Sequence, residues 1–135
     1  MSDAELVAAA RTVRGNARAP FSRFQVGSAV RAASGKVYTG VNVESASYPL
    51  TCCAERVAIY NAVTAGETSI TAVAVATTAN AAPCGGCRQV IFEMGPEATV
   101  LIAGLEGAWT TTTIRALLPH GFDGSALPGA GPAGA

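Results

Sequence analysis

Two separated clusters of thiols constrain this chain more than any other feature. Thr51-Cys52-Cys53-Ala54-Glu55-Arg56 is followed about thirty residues later by Pro83-Cys84-Gly85-Gly86-Cys87. Each cluster follows an extended stretch and opens a segment with helical periodicity. If the clusters act together, the fold must set two helix starts side by side, with a helix and a strand running between them.

A Cys-x-Glu followed by Pro-Cys-x-x-Cys is the ligand pattern of zinc deaminases, with Cys in place of the first His. Cys53, Cys84 and Cys87 would give Zn²⁺ three thiolate ligands. The fourth tetrahedral position is then open to water, as in catalytic rather than structural sites. Zinc lowers the pKa of bound water to about 7, which makes a nucleophile available at neutral pH. Glu55, two residues after Cys53, is the candidate general base. Three sulfurs and a carboxylate leave the site with surplus negative charge. The two helix N-termini oppose it with roughly half a positive charge each, and Arg56 can donate hydrogen bonds to thiolate sulfur. Other readings of the cysteines exist. They can be buried small hydrophobes, a Cys-x-x-Cys redox pair, or a closed structural zinc site with Cys52 as the fourth ligand. Adjacent residues at a helix start diverge, however, and a closed site would leave Glu55 idle, so Cys52 is expected in the core.

The 135 residues predict one domain, large enough to bury a core. Hydrophobic residues make up 50% and charged residues only 13%, which suggests that sister subunits cover much of the surface. Nine basic and nine acidic side chains cancel, so there is no electrostatic footprint for a nucleic-acid backbone. A nucleic-acid editing deaminase, which needs a basic, aromatic-lined groove, is disfavoured on this ground. A zinc scaffold without catalysis would have no use for Glu55. The N-terminal residues lack a signal-like basic and apolar pattern, and no run reaches transmembrane length, so no membrane partner is expected. The sequence reads as soluble and cytoplasmic, where thiols stay reduced.

Ser2-Asp3-Ala4-Glu5 fits a capping box, and Leu6, Val7, Ala10 and Val13 predict a helix over about 3–14. Strands are expected from Phe24 to Arg31 and from Val37 to Val43, joined at Ser34-Gly35. The period of two on the second strand sets Asn42 and Glu44 together on the face opposite Val41 and Val43. The pattern alone leaves open whether that pair lines a site or a solvated edge. Cys53 to Ala65 reads as a helix with a Val57, Ala58, Ala62 stripe, ended by Gly66. Ile70 to Thr77 is apolar enough for a central strand covered on both faces. Pro83-Cys84 opens a further helix with Val90, Ile91 and Met94 inward. Strands over Thr99–Ala103 and Ala108–Thr112 follow, then a short helix capped by Thr113 and ending at Pro119. The order predicts an α/β fold, with one mixed five-stranded sheet and helices on both faces in three layers, α/β/α. Residues 1–123 are expected to form the single catalytic domain, and the Gly-, Ala- and Pro-rich tail, 124–135, to be mobile.

From Pro20 to Phe122 the chain resembles the cytidine deaminase family, specifically its small homotetrameric three-cysteine class. The resemblance rests on Pro20-Phe21-Ser22-Arg23-Phe24-Gln25-Val26-Gly27, Gly40-Val41-Asn42-Val43-Glu44, Ser47-Tyr48-Pro49-Leu50-Thr51-Cys52-Cys53-Ala54-Glu55-Arg56, Pro83-Cys84-Gly85-Gly86-Cys87-Arg88-Gln89-Val90 and Leu117-Leu118-Pro119. It implies one Zn²⁺ per subunit and hydrolytic deamination of cytidine and 2′-deoxycytidine to uridine and 2′-deoxyuridine, with ammonia released, a pyrimidine salvage reaction. It further implies that Asn42 and Glu44 hold the ribose hydroxyls and that Phe24 lies against the pyrimidine. Ala54 would offer its backbone to the base, and the Pro83 carbonyl would orient the amino group. Tyr48 and Phe122 would reach into a neighbouring subunit's site. Two residues depart from the family pattern. Ser45 stands where many members have Asn, which bears on the loop carrying the sugar contacts, and Cys52 stands where an apolar residue is usual. A related branch that deaminates the antibiotic blasticidin S shares the zinc motifs, but the intact Asn42-Val43-Glu44 and Phe24 segments favour the nucleoside enzyme. His120, the only His, is expected at a surface or interface. Arg88 and Gln89 are expected to serve capping and subunit contacts.

Overall fold

A computed structural model describes residues 1–129. Helix α1 (Asp3–Val13) starts as expected, with the Ser2 hydroxyl accepting from the Glu5 N–H at 3.2 Å. Strands β1 (Gly27–Ala32) and β2 (Val37–Val41) form an antiparallel hairpin. Helix α2 (Ala54–Thr64) leads to β3 (Ile70–Ala76), and α3 (Gly85–Met94) to β4 (Thr99–Ala103). β5 (Trp109–Thr113) and the single-turn α4 (Ile114–Leu117) follow. The sheet order is β2-β1-β3-β4-β5; only β3 and β4 are parallel neighbours, so the sheet is mixed and β3 is central, as its composition predicts.

Along the strands, successive side chains differ in size as well as in the face they occupy. One face presents Ala29, Ala72, Ala74, Ala76 and Ala103 with Leu101, and these small side chains let α1 lie close, with Leu6, Val7 and Ala10 fully buried. The other face presents Val30, Val73, Val75, Val100 and Ile102 to α2 and α3, which contribute Ile59, Ile91 and Phe92. The molecule thus has three layers. Within α2 the buried stripe is Ala54, Glu55, Ala58, Ile59 and Ala62; Val57 is only half-buried, and Ile59 takes the core place assigned to it.

Gly40 makes one of the layer contacts possible. A Cβ at this position would stand 2.3 Å from the Ala58 nitrogen and 2.6 Å from the Ala54 oxygen, so α2 rests its first turns directly on the β2 backbone.

Several boundaries differ from the sequence reading, each for a local reason. Phe24 to Val26 does not join the first strand, because the Asn42 side chain replaces the ladder there. Its Oδ1 accepts from the Val26 N–H at 2.9 Å and its Nδ2 donates to the Phe24 carbonyl at 2.7 Å. Likewise β2 stops at Val41, and Val43 makes isolated bridges to Arg18 and Cys52 instead. Helix α3 begins at Gly85 with Cys84 as its N-cap, and β5 is shifted by one residue so that Thr113 ends the strand and caps α4. The Leu118 and Pro119 positions lie beyond α4. Cys52 is not a core residue: paired through its backbone to Val43, it is half-buried at the wall of a cavity. In the tail, expected to be mobile over 124–135, Gly124–Ala126 forms a 3₁₀ turn capped by Asp123, and residues 130–135 lie outside the described ones.

Candidate active site

β2 and β3 run in the same direction and each hands the chain to a helix on the same face, so the N-termini of α2 and α3 meet at the C-terminal edge of the sheet. That edge is where open α/β sheets bind ligands. Cys53 is the N-cap of α2, Cys84 is the N-cap of α3, and Cys87 lies in the first turn of α3. Their sulfurs lie within 4.8 Å of one another, with Cys53 to Cys84 at 3.9 Å and Cys84 to Cys87 at 3.4 Å. Zn–S bonds of about 2.3 Å at tetrahedral angles need sulfurs about 3.8 Å apart, so the trio fits zinc.

The electrostatics fit a cation as well. Arg56 donates from Nη2 to the Cys53 sulfur at 3.4 Å, and its Nε is buried with no partner among the described residues. The Cys53 thiol is brought down to about 5, chiefly by a hydrogen bond from Cys87 and further by the Arg56 guanidinium, against the opposing effect of burial. The same sharing holds the proton on Cys87, which is pushed up. Glu55 is 4% exposed; burial raises its carboxyl to about 7, and negative charge on Cys53 adds to the rise. A group with that value can accept and release a proton at neutral pH.

Beside the thiols lies a cavity of about 290 Å³. Its walls include Cys53, Cys84, Ala54 and Glu55 together with Phe24, Val26, Asn42, Glu44, Thr51 and Thr77. Glu55, Phe24, Asn42, Glu44 and Ala54 are therefore brought to one chamber with two of the three thiols. Asn42 and Glu44 are both 8% exposed, so the polar pair is not a solvated edge. Glu44 accepts at Oε1 from the Phe21 and Ser22 N–H groups, both at 3.0 Å, and at Oε2 from the Ser22 hydroxyl. These donors, the Ser22 hydroxyl foremost, hold its carboxyl below the usual carboxylate range.

Three other sequence-selected residues stand apart from this cavity. Pro83 is buried but does not line it; the Pro83 carbonyl accepts from Arg88 Nε at 2.7 Å, while Arg88 Nη1 donates to the Leu117 carbonyl at 3.0 Å. Arg88 thus braces the loop carrying Cys84 against the end of α4. Tyr48 is 72% exposed and meets Phe21 edge-on, with ring centroids 6.0 Å apart, and Phe122 is 54% exposed with its carbonyl held by Gln89 at 2.8 Å. Ser45 does not leave its loop untied, since its N–H donates to the Thr51 hydroxyl and its own hydroxyl accepts from Ser47. His120 is exposed, as expected.

Two residues that the sequence reading passed over help shape the chamber. The Thr77 hydroxyl accepts from the Ala79 and Ala81 N–H groups at 3.2 and 3.0 Å and so folds the 78–82 loop over the cavity. Ser22 does the same for the Phe24 loop. A Ser or Thr two residues before a turn's N–H is the available sequence signal, and it is weak on its own.

A trio of thiols with one buried carboxylate beside it, opening on a chamber at the sheet's C-terminal edge, defines a zinc hydrolase of the deaminase class. Residues 1–103 match the family described as the cytidine and deoxycytidylate deaminase zinc-binding region. The chain is 42% identical over 120 residues to a cytidine deaminase of Halalkalibacterium halodurans, covering 87% of this chain and 91% of that one. It is 40% identical over 121 residues to a cytidine deaminase of Sporosarcina psychrophila, with 87% and 89% covered. The crystal structure of cytidine deaminase from Burkholderia pseudomallei superposes with a TM-score of 0.86 at 42% identity, covering 90% of this chain and all of that one. The chain belongs to the cytidine deaminase family of zinc enzymes, and these relatives support the nucleoside reading over the antibiotic branch. No helix among the described residues is long and apolar enough to cross a membrane.

Proposed function

We propose that the chain hydrolyses the exocyclic C4–N bond of cytidine and 2′-deoxycytidine, giving uridine or 2′-deoxyuridine and ammonia. The observation that carries this reading is one chamber holding a thiol cluster, a buried Glu55 and the Phe24, Asn42 and Glu44 wall. Zinc held by Cys53, Cys84 and Cys87, one ion per subunit, supplies Lewis acidity and lowers the pKa of water. Glu55 accepts a proton from the attacking water and delivers it to N3 as the water oxygen bonds to C4. It then carries the remaining proton from that oxygen to the amino nitrogen, which leaves as ammonia while the C4 carbonyl forms. Burial raises the Glu55 carboxyl to about 7, which suits a group that accepts and releases a proton in turn.

In this reading Phe24 lies against the pyrimidine, Asn42 and Glu44 receive sugar hydroxyls, and the Ala54 backbone meets the base edge. The Pro83 carbonyl, which accepts from Arg88 behind the chamber's lining, is assigned to orient the amino group on the family resemblance alone. No Lys or Arg lines the chamber among the described residues, and Glu44 is anionic, which suits an uncharged sugar rather than a sugar phosphate. The exposed Phe21, Tyr48, Leu50 and Phe122 support assembly into a homotetramer in which Tyr48 and Phe122 complete a neighbour's site. In this reading residues 1–123 make up the catalytic domain and 124–135 its tail, and free thiols at the metal site suit a reducing compartment such as the cytoplasm. The test is turnover of cytidine and deoxycytidine by the zinc-loaded protein, followed by the ultraviolet change to the uracil product and by ammonia release. A zinc-replete, folded sample that turns over neither substrate overturns the proposal.

A further inference from the structure

The loop leading into β1 is closed by one hydroxyl. Ser22 Oγ donates to Oε2 of Glu44 and accepts from the Phe24 N–H at 3.0 Å. Between the two, Arg23 has a left-handed φ of 60°, which a non-glycine residue keeps only where its surroundings impose it. An ionised carboxylate offers about four lone-pair sites. The Phe21 and Ser22 N–H groups occupy both on Oε1, and the Ser22 hydroxyl occupies one on Oε2. One lone pair of Oε2 has no donor among the described residues. A second cavity, lined by Phe21, Ser45, Tyr48 and Thr51, also touches Ser22 and Glu44.

We infer that Ser22 is a positioning residue for the nucleoside's sugar. Its proton aims the free lone pair of Glu44 into the chamber, and its oxygen fixes the backbone of Phe24. The spacing between the sugar acceptor and the ring platform is thus set by one side chain. The inference rests on the reading in which Glu44 receives a sugar hydroxyl and Phe24 faces the base. Without the hydroxyl, Oε2 is free to turn toward the second cavity and take water there, and the Phe24 N–H loses its acceptor. The cost falls on substrates that present sugar hydroxyls to Glu44 and spares those that do not.

The test uses the zinc-loaded full chain and its Ser22→Ala, Ser22→Thr and Glu44→Gln variants, with cytidine and 2′,3′-dideoxycytidine competing as substrates. Ser22→Ala is expected to raise KM for cytidine about tenfold or more, the scale of one hydrogen bond to a charged group, with kcat changed far less. It should narrow the preference for cytidine over the dideoxy compound by a similar factor, and Ser22→Thr, which keeps a hydroxyl, should restore most of it. An equal loss on both substrates, an unchanged cytidine KM, or loss of zinc from Ser22→Ala overturns the inference. If Glu44→Gln narrows the preference and Ser22→Ala does not, the inference alone fails. If Glu44→Gln also leaves the preference unchanged, the assignment of Glu44 to the sugar fails with it.

Discussion

Arg56 lies in the first turn of α2 and donates from Nη2 to the sulfur of Cys53 at 3.4 Å. The bond favours the thiolate, so protons are expected to compete with a metal for Cys53 only at low pH. Replacing Arg56 by Gln removes a cation and its donor, the thiol keeps its proton to higher pH, and zinc release should move to higher pH. Titration of bound zinc with a chromophoric chelator across pH checks this. Superimposable release curves for wild type and Arg56→Gln would show that the two helix N-termini hold the charge balance alone.

Glu55→Gln keeps the size of a buried side chain and removes its base. Turnover is expected to fall by about 10² to 10⁴, the usual worth of general acid–base catalysis, with zinc content and assembly retained. Single-turnover kinetics on the purified, zinc-assayed variant make the measurement; near-normal rates would end the assignment.

Glu44 gives a pH-dependent contribution to stability whose sign follows from its hydrogen bonds. Its carboxyl is held low in the folded chain, first by the Ser22 hydroxyl, so the charged form is favoured on folding. The stabilisation is fully present above the ordinary carboxylate range of about 4.5 and disappears as pH falls through the lower folded value. The gap in unfolding midpoint between wild type and Glu44→Gln should therefore be constant from neutral pH down to about pH 5 and close below it. A gap that widens on acidification would contradict the loop's hydrogen-bond arrangement.

Gly40→Ala tests how closely α2 is docked. The new methyl meets backbone atoms at 2.3 and 2.6 Å, neither of which can rotate away, so α2 must shift. A loss of about 1–3 kcal/mol, the range for overpacking, is expected together with weaker zinc binding, because Ala54 follows Cys53 directly. Gly15→Ala, where a Cβ meets nothing within 4 Å, is the control and should change stability little. Thermal melts and zinc content of both variants decide the matter.

The proposal that subunits share sites predicts complementation. Mixing Glu55→Gln protomers with Phe122→Ala protomers should, after subunit exchange, give more activity than the average of the parents, since some sites then receive both intact residues. Strictly additive activity with exchange demonstrated by mass would mean that each site is built from one chain.

The thiol ligands and Glu55 were legible because their spacing alone puts them at two helix starts, and the sheet does bring those starts together. Asn42 and Glu44 were legible only halfway. The period of two placed them on one face, but not their grip on the Phe24 loop, because a side chain standing in for a ladder leaves no periodic trace. Ser22 and Thr77 were missed for a similar reason: each acts through one hydroxyl on a backbone N–H two to four residues away. Cys52 is expected in the core because a fourth-ligand role would leave Glu55 idle, whereas its backbone pairing with Val43 sets it at the cavity wall, a place no spacing rule reveals.

Cys53 and Cys84 stand 31 residues apart, with all of α2 and β3 between them. An ion that joins them is a removable crosslink on a long loop, and closing such a loop restricts the unfolded chain more than the folded one. A chelator is then a denaturant aimed at one segment. The α2–β3 unit should loosen before the α1 face does, and hydrogen exchange along the chain would read that order directly.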